Sequence, residues 1–75
     1  MNTIEIDKED LENWLAEENM FELKKMFNNA RRIINAGGSC SIKRQDKVMN
    51  ITFTVHEFST LEDFDKYYKD LTKYL

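Results

Sequence analysis

Proline is absent from this chain, and glycine, cysteine and histidine nearly so: two glycines, one cysteine and one histidine. Without proline or a Gly/Ser-rich run, nothing in the sequence marks a linker between units. A lone Cys40 excludes an intramolecular disulfide and any paired-thiol zinc spacing. A lone His56 leaves no histidine pair for a metal, and one Cys–His couple at most for nucleophilic catalysis. Gly37 and Gly38 lack the spacing, the lysine and the following helix of a phosphate-cradling loop. No calcium loop is present, so the expectation is neither metal nor cofactor. No apolar run approaches the roughly 20 residues of a membrane span. The acidic, apolar-poor opening of residues 1–10 argues against a secretory signal and hence for a cytoplasmic setting, the host's if the chain is viral.

What is present suffices for a core. The 75 residues are 41% hydrophobic and include nine aromatics, so a single folded domain over residues 1–75 is expected rather than disorder. The net charge of −3 conceals a partition. Residues 1–22 hold eight acids against Lys8, and residues 23–47 hold seven bases against Asp46. Residues 48–75 hold five acids against three bases. Such blocks point either to charged partners or to complementary packing within the fold.

The clearest element is the helix over residues 23–38. Leu23, Met26, Phe27, Ala30, Ile33 and Ile34 recur at helical spacing, and the opposite face holds Lys24, Lys25, Asn28, Asn29, Arg31, Arg32 and Asn35. Gly37 supplies a left-handed C-terminal cap. Ahead of it, residues 3–6 alternate like a short edge strand, and Asp7 caps an acidic helix running to about Glu18 with Leu11, Trp14 and Leu15 inward. Asn19 with Glu22 reads as a capping box that restarts the chain in a second helix; one bent helix over residues 8–36 is the competing assignment.

Two strands follow, over residues 39–44 and 48–55, joined through Gln45, Asp46 and Lys47. Strict alternation places Met49, Ile51, Phe53 and Val55 inward with Cys40 and Ile42, and His56 outward, which disfavours a Cys40–His56 pair. Ser59 with Glu62 reads as a capping box for a last helix with Leu61, Phe64, Tyr68, Leu71 and Leu75 on its stripe and Tyr67 and Tyr74 flanking it. The fold class is therefore a small α+β domain. It comprises two N-terminal helices, an antiparallel hairpin with a candidate third N-terminal strand, and a C-terminal helix packed on one sheet face. Trp14, Phe27, Ile34, Ile51, Phe53, Phe64 and Tyr68 are expected near the centre, with a cost of about 3–5 kcal/mol for truncating Phe53.

With no convergent reactive groups, a non-catalytic binding protein is the expected class. The first candidate surface is the acidic helix, with Glu9, Asp10, Glu12, Glu17 and Glu18 competing for a basic surface on a partner protein. Small inhibitory proteins of phages and mobile elements share this size and acidity. Nine aromatics are many for so small a core, so Trp14, Phe21, Phe58, Tyr67 or Tyr74 left exposed would anchor such a partner. The alternative is a nucleic-acid-binding module using Lys24, Lys25, Asn28, Arg31 and Arg32, extended at the hairpin tip by Lys43, Arg44 and Lys47. A homodimeric assembly protein is third.

Overall fold

Asp7 closes one element and opens the next. It is the last residue of β1 (Thr3–Asp7), and its Oδ1 accepts from the Glu9 backbone N–H at 2.8 Å to cap α1 (Lys8–Ala16). Helix α1 stops two residues short of the expected Glu18. Glu17 caps it and Glu18 turns into the left-handed region at φ 53°. Asn19 then caps α2 (Met20–Asn35) by accepting from Glu22 N–H at 3.2 Å. The break makes two helices, not one bent one. At the far end Gly37 takes φ 92°. Its N–H donates to Ile34 O at 3.0 Å and Gly38 N–H to Ile33 O at 2.9 Å, the two bonds of a Schellman cap.

The computed structural model describes residues 2–73 and Leu75. Among them are three helices and one three-stranded sheet in the order β1-β2-β3. The central strand β2 (Ser39–Asp46) pairs with β1 in parallel and with β3 (Ile51–Phe58) antiparallel. The N-terminal strand is thus real, and the helix pair α1–α2 is the crossover a parallel pair requires. Helix α3 (Leu61–Thr72) is capped by Thr60, whose hydroxyl accepts from Asp63 N–H at 3.3 Å. That is one residue later than the expected Ser59. Tyr74, expected beside the α3 stripe, lies outside the described residues.

All three helices cover one face of the sheet, and the Cα envelope is only 17 Å thick along its shortest axis. Helix α2 sits centrally, touching α1, α3, β1 and β2. The core joins Leu23, Met26, Phe27, Ala30 and Ile34 of α2 to Leu11, Phe64, Ile6, Cys40 and Ile42. Phe27 is the pin between helices, with ring centroids 5.0 Å from Phe64 and 4.2 Å from Tyr68. Trp14 and Tyr68, expected at the centre, are half-buried at its margin.

The hairpin departs most from expectation. The first strand continues through Asp46, whose Oδ1 accepts from the backbone N–H groups of Val48 (3.0 Å) and Met49 (3.2 Å). The turn therefore occupies residues 47–50, with Asn50 left-handed at φ 54°, a conformation asparagine tolerates. The ladder then runs from Lys43 opposite Thr54 to Ile42 opposite His56, leaving Val55 as an extra residue. This bulge flips the alternation. His56 and Phe58 now share the helix-facing side with Cys40 and Ile42, so the expectation of an outward His56 is overturned. Ile51 and Phe53 are not core either. Helix α3 returns over Phe58, against which Phe64 and Tyr67 pack. The distal half of β3 extends past that cover, leaving Ile51 50% and Phe53 46% exposed.

Candidate functional site

Three surfaces bring the sequence candidates together or separate them. The first is the seam between α1 and the hairpin. Glu12 forms an ion pair with Arg44, and Glu9 with Lys47 at 3.5 Å. On the open sheet face Lys43 Nζ donates to Glu5 Oε1 at 2.7 Å. The acidic helix is therefore offset in part by the hairpin bases, not by the basic helix beside it. These pairs are exposed, so each contributes only ~0–1 kcal/mol to stability. Their effect is on the field: two of the five candidate acids and all three hairpin bases are engaged within the molecule. Asp10, Glu17 and Glu18 keep no cationic partner among the described residues. Asp10 borders a shallow groove with Trp14, Glu22 and Lys25, while Glu17 and Glu18 form the α1–α2 turn.

The second surface is the polar face of α2. Arg31 Nε lies 3.4 Å from Asp65 Oδ1 on α3, and Arg32 Nη2 donates to Asn29 Oδ1 at 3.5 Å. Lys24, Lys25 and Asn28 face outward, the two lysines without a carboxylate partner among the described residues. The patch proposed for nucleic acid is thus split, with free charge on α2 and paired charge at the hairpin tip.

The third surface is apolar. Around the turn and the distal half of β3, Val48 is 96% exposed, Met49 68% and Val55 37%, beside Ile51 and Phe53. β3 is an edge strand, so one side of its backbone carries N–H and C=O groups with no neighbouring strand among the described residues. Phe21 on α2, one of the aromatics expected to be in excess, is 73% exposed. Phe58 and Tyr67 instead pack into the sheet–helix seam. Sequence reading missed the hairpin patch because Val48 and Met49 look like strand residues and Phe53 looks like core. Its only sequence signal is apolar density next to the turn-forming Asp46 and Asn50.

Cys40 and His56 lie on the same side of the sheet without forming a hydrogen bond to each other. The His56 ring is stacked near Phe58 (6.0 Å) and tilted against Tyr67 (5.0 Å), and Lys8 Nζ donates to the Tyr67 hydroxyl at 3.4 Å. Burial pushes the fully enclosed Cys40 thiol up to about 11. Burial, helped by Cys40 and Glu12, pushes the Tyr67 hydroxyl up to about 12. Cys40 is a protonated, inaccessible thiol near neutral pH, not an activated nucleophile. Among the described residues no three His, Cys, Asp or Glu side chains group into a metal site.

These shifts have a measurable consequence. The folded state holds the Cys40 proton to higher pH than the unfolded chain, which releases it near 9.0. The stability contributed is therefore complete below that value and declines between pH 9 and 11, at about 1.4 kcal/mol per pH unit at most. Urea midpoints should fall across this window, and Cys40→Ala should flatten the fall, leaving the Tyr67 part at higher pH. An unchanged slope in the variant would place the alkaline sensitivity elsewhere.

The fold and surfaces define a small two-layer α+β domain, and no helix among the described residues is long and apolar enough to cross a membrane. No protein-family model, curated protein or solved structure matches the chain.

Proposed function

We propose that this chain is a non-catalytic protein-binding domain that acts as a regulator or inhibitor by covering a surface of a partner, with the distal hairpin as its contact. One observation carries the reading: Val48, Met49, Ile51, Phe53 and Val55 are all exposed, and they adjoin an unpaired strand edge. Contiguous exposed apolar area on so small a chain is costly in water unless something covers it. The strand edge adds backbone hydrogen bonds, so apolar anchors and directional pairing coincide. Asp10, Glu17 and Glu18 remain for charged contacts that steer association. The nucleic-acid reading retains Lys24, Lys25 and Arg32 but has Arg31 and the three hairpin bases already paired.

The test compares two variants on immobilised protein exposed to extracts of the expressing cell, with quantitative mass spectrometry. Ile51→Lys/Phe53→Lys should keep the native circular dichroism and lose a specific bound protein by at least ~10-fold, the scale of removing an apolar anchor. Lys24→Glu/Lys25→Glu should leave that protein bound. Equal retention by the hairpin variant would overturn the assignment. So would steeply salt-dependent binding of labelled DNA or RNA that the lysine variant abolishes, which would put the nucleic-acid reading in its place.

A further inference from the structure

We propose that the occupant of the hairpin surface is a second copy of this chain, its β3 pairing antiparallel with the β3 of the first around a two-fold axis at Phe53. This rests on the reading of the hairpin as a protein-binding surface and names its partner.

The two edges of the sheet are treated differently by the sequence. β1 carries Glu5 and Asp7 among its five residues, so pairing it with another copy of itself would set carboxylates against carboxylates. β3 carries no lysine, arginine or proline over eight residues, and its one carboxylate, Glu57, lies at the end away from the turn. Natural edges are normally blunted by such residues. The bulge at Val55 is the one protective device on this strand among the described residues, and it leaves residues 51–54 regular.

Self-pairing suits this stretch. With the axis at Phe53, Thr52 faces Thr54 of the other copy, and Ile51 lies nearest the bulged Val55. Phe53 meets its own counterpart on the helix-facing side, where neither copy has a helix to cover it. Threonine–threonine and aromatic or β-branched neighbours are favourable cross-strand pairs. No like charges are brought together within residues 51–55. A charged peptide, by contrast, would find no complementary charge on this edge.

Size and closure point the same way. The five exposed apolar side chains offer on the order of 500 Å², and the strand backbone adds to that, approaching the ~800 Å² per partner of a standard interface. A chain of 75 residues has a small core, and covering this patch would add to it. The six-stranded sheet so formed ends on two β1 strands, both guarded by Glu5 and Asp7. Association therefore closes at two copies instead of propagating.

Two measurements on the full chain test this. Sedimentation velocity from micromolar to millimolar concentration should show a monomer–dimer equilibrium, weakened at least ~10-fold by Phe53→Lys but not by Glu5→Lys. In the expressing cell, a photo-reactive benzoylphenylalanine replacing Val48 should yield an adduct of twice the chain's mass, with cross-linked peptides from the hairpins of both copies. A monomer at every concentration, or a dimer indifferent to Phe53→Lys, would overturn the inference. An adduct to a different protein would also overturn it while leaving the hairpin a protein-binding surface. No adduct of any kind would bring down both readings.

Discussion

Replacing Phe27 by alanine should cost about 3–5 kcal/mol and move the urea midpoint far toward zero. The ring is 2% exposed and stands between Phe64 at 5.0 Å and Tyr68 at 4.2 Å, with Tyr67 at 6.5 Å. Truncation removes more than one side chain's burial. It opens the seam by which α3 is held to α2, and neither helix can close the gap without dragging the strand it follows or precedes. A 75-residue domain has a total stability of only roughly 4–11 kcal/mol, so this loss is a large part of it. Phe27→Leu, which keeps most of the volume, should cost less than about 1.5 kcal/mol if the neighbours repack. Urea unfolding followed by circular dichroism measures both. Phe53→Ala is the contrast: with the ring 46% exposed, about 1 kcal/mol or less is expected in the monomer at low concentration. Equal costs at positions 27 and 53 would mean that the hairpin tip is covered in the protein as it exists in solution.

That contrast also marks where the sequence is legible. Helical spacing identified Leu23, Met26, Phe27, Ala30 and Ile34 as one buried stripe, because α2 is packed along its whole length and local periodicity reports burial directly. Caps at Asp7 and Asn19 were readable for a similar reason: the side-chain oxygen and the backbone N–H that donates to it lie within three residues. The hairpin was not readable in this way. Period-two alternation through Ile51, Phe53 and Val55 predicts a buried face only if a helix lies over all of it, and the reach of α3 is set by tertiary packing. The bulge at Val55 reversed the orientation of His56 as well. Nothing in the residues from Thr54 to Glu57 signals that one of them has no partner on β2.

Charge followed the same division. The sequence showed that acidic and basic blocks exist but not which would meet. Helix α2 is the basic element next to α1 in the chain, yet Glu9 and Glu12 pair with Lys47 and Arg44, because the crossover lays α1 along β2. This is why the acidic helix recedes as a contact surface and the apolar hairpin comes forward. The hairpin site was not legible: of the aromatics expected in excess Phe21 is exposed, but it lies on α2, and Ile51 and Phe53 were expected in the core.

Gly38→Ala should be nearly as damaging as loss of Phe27, at about 3 kcal/mol, the upper end of the range for overpacking. A Cβ at this position would collide with the backbone oxygen of Asn2, and would lie 2.7 Å from Ile33 Cγ2 and 2.9 Å from Ile33 O. Neither oxygen is free to yield. Asn2 O accepts from Ser39 N–H at 3.0 Å at the start of the β1–β2 pairing, and Ile33 O accepts from Gly38 N–H at 2.9 Å in the cap of α2. Relieving the clash must loosen either the parallel strand pair or the helix end. Gly37 provides the internal control. Its φ of 92° strains any other residue, but a Cβ there meets nothing within 4 Å, so Gly37→Ala should cost only about 1–2 kcal/mol. Urea midpoints give the ranking. Amide exchange separates the mechanisms, because only the Gly38 variant should deprotect Ser39 N–H beyond the change in global stability. A Gly38→Ala protein as stable as the Gly37 variant, with Ser39 still protected, would show that β1 is not clamped against the end of α2.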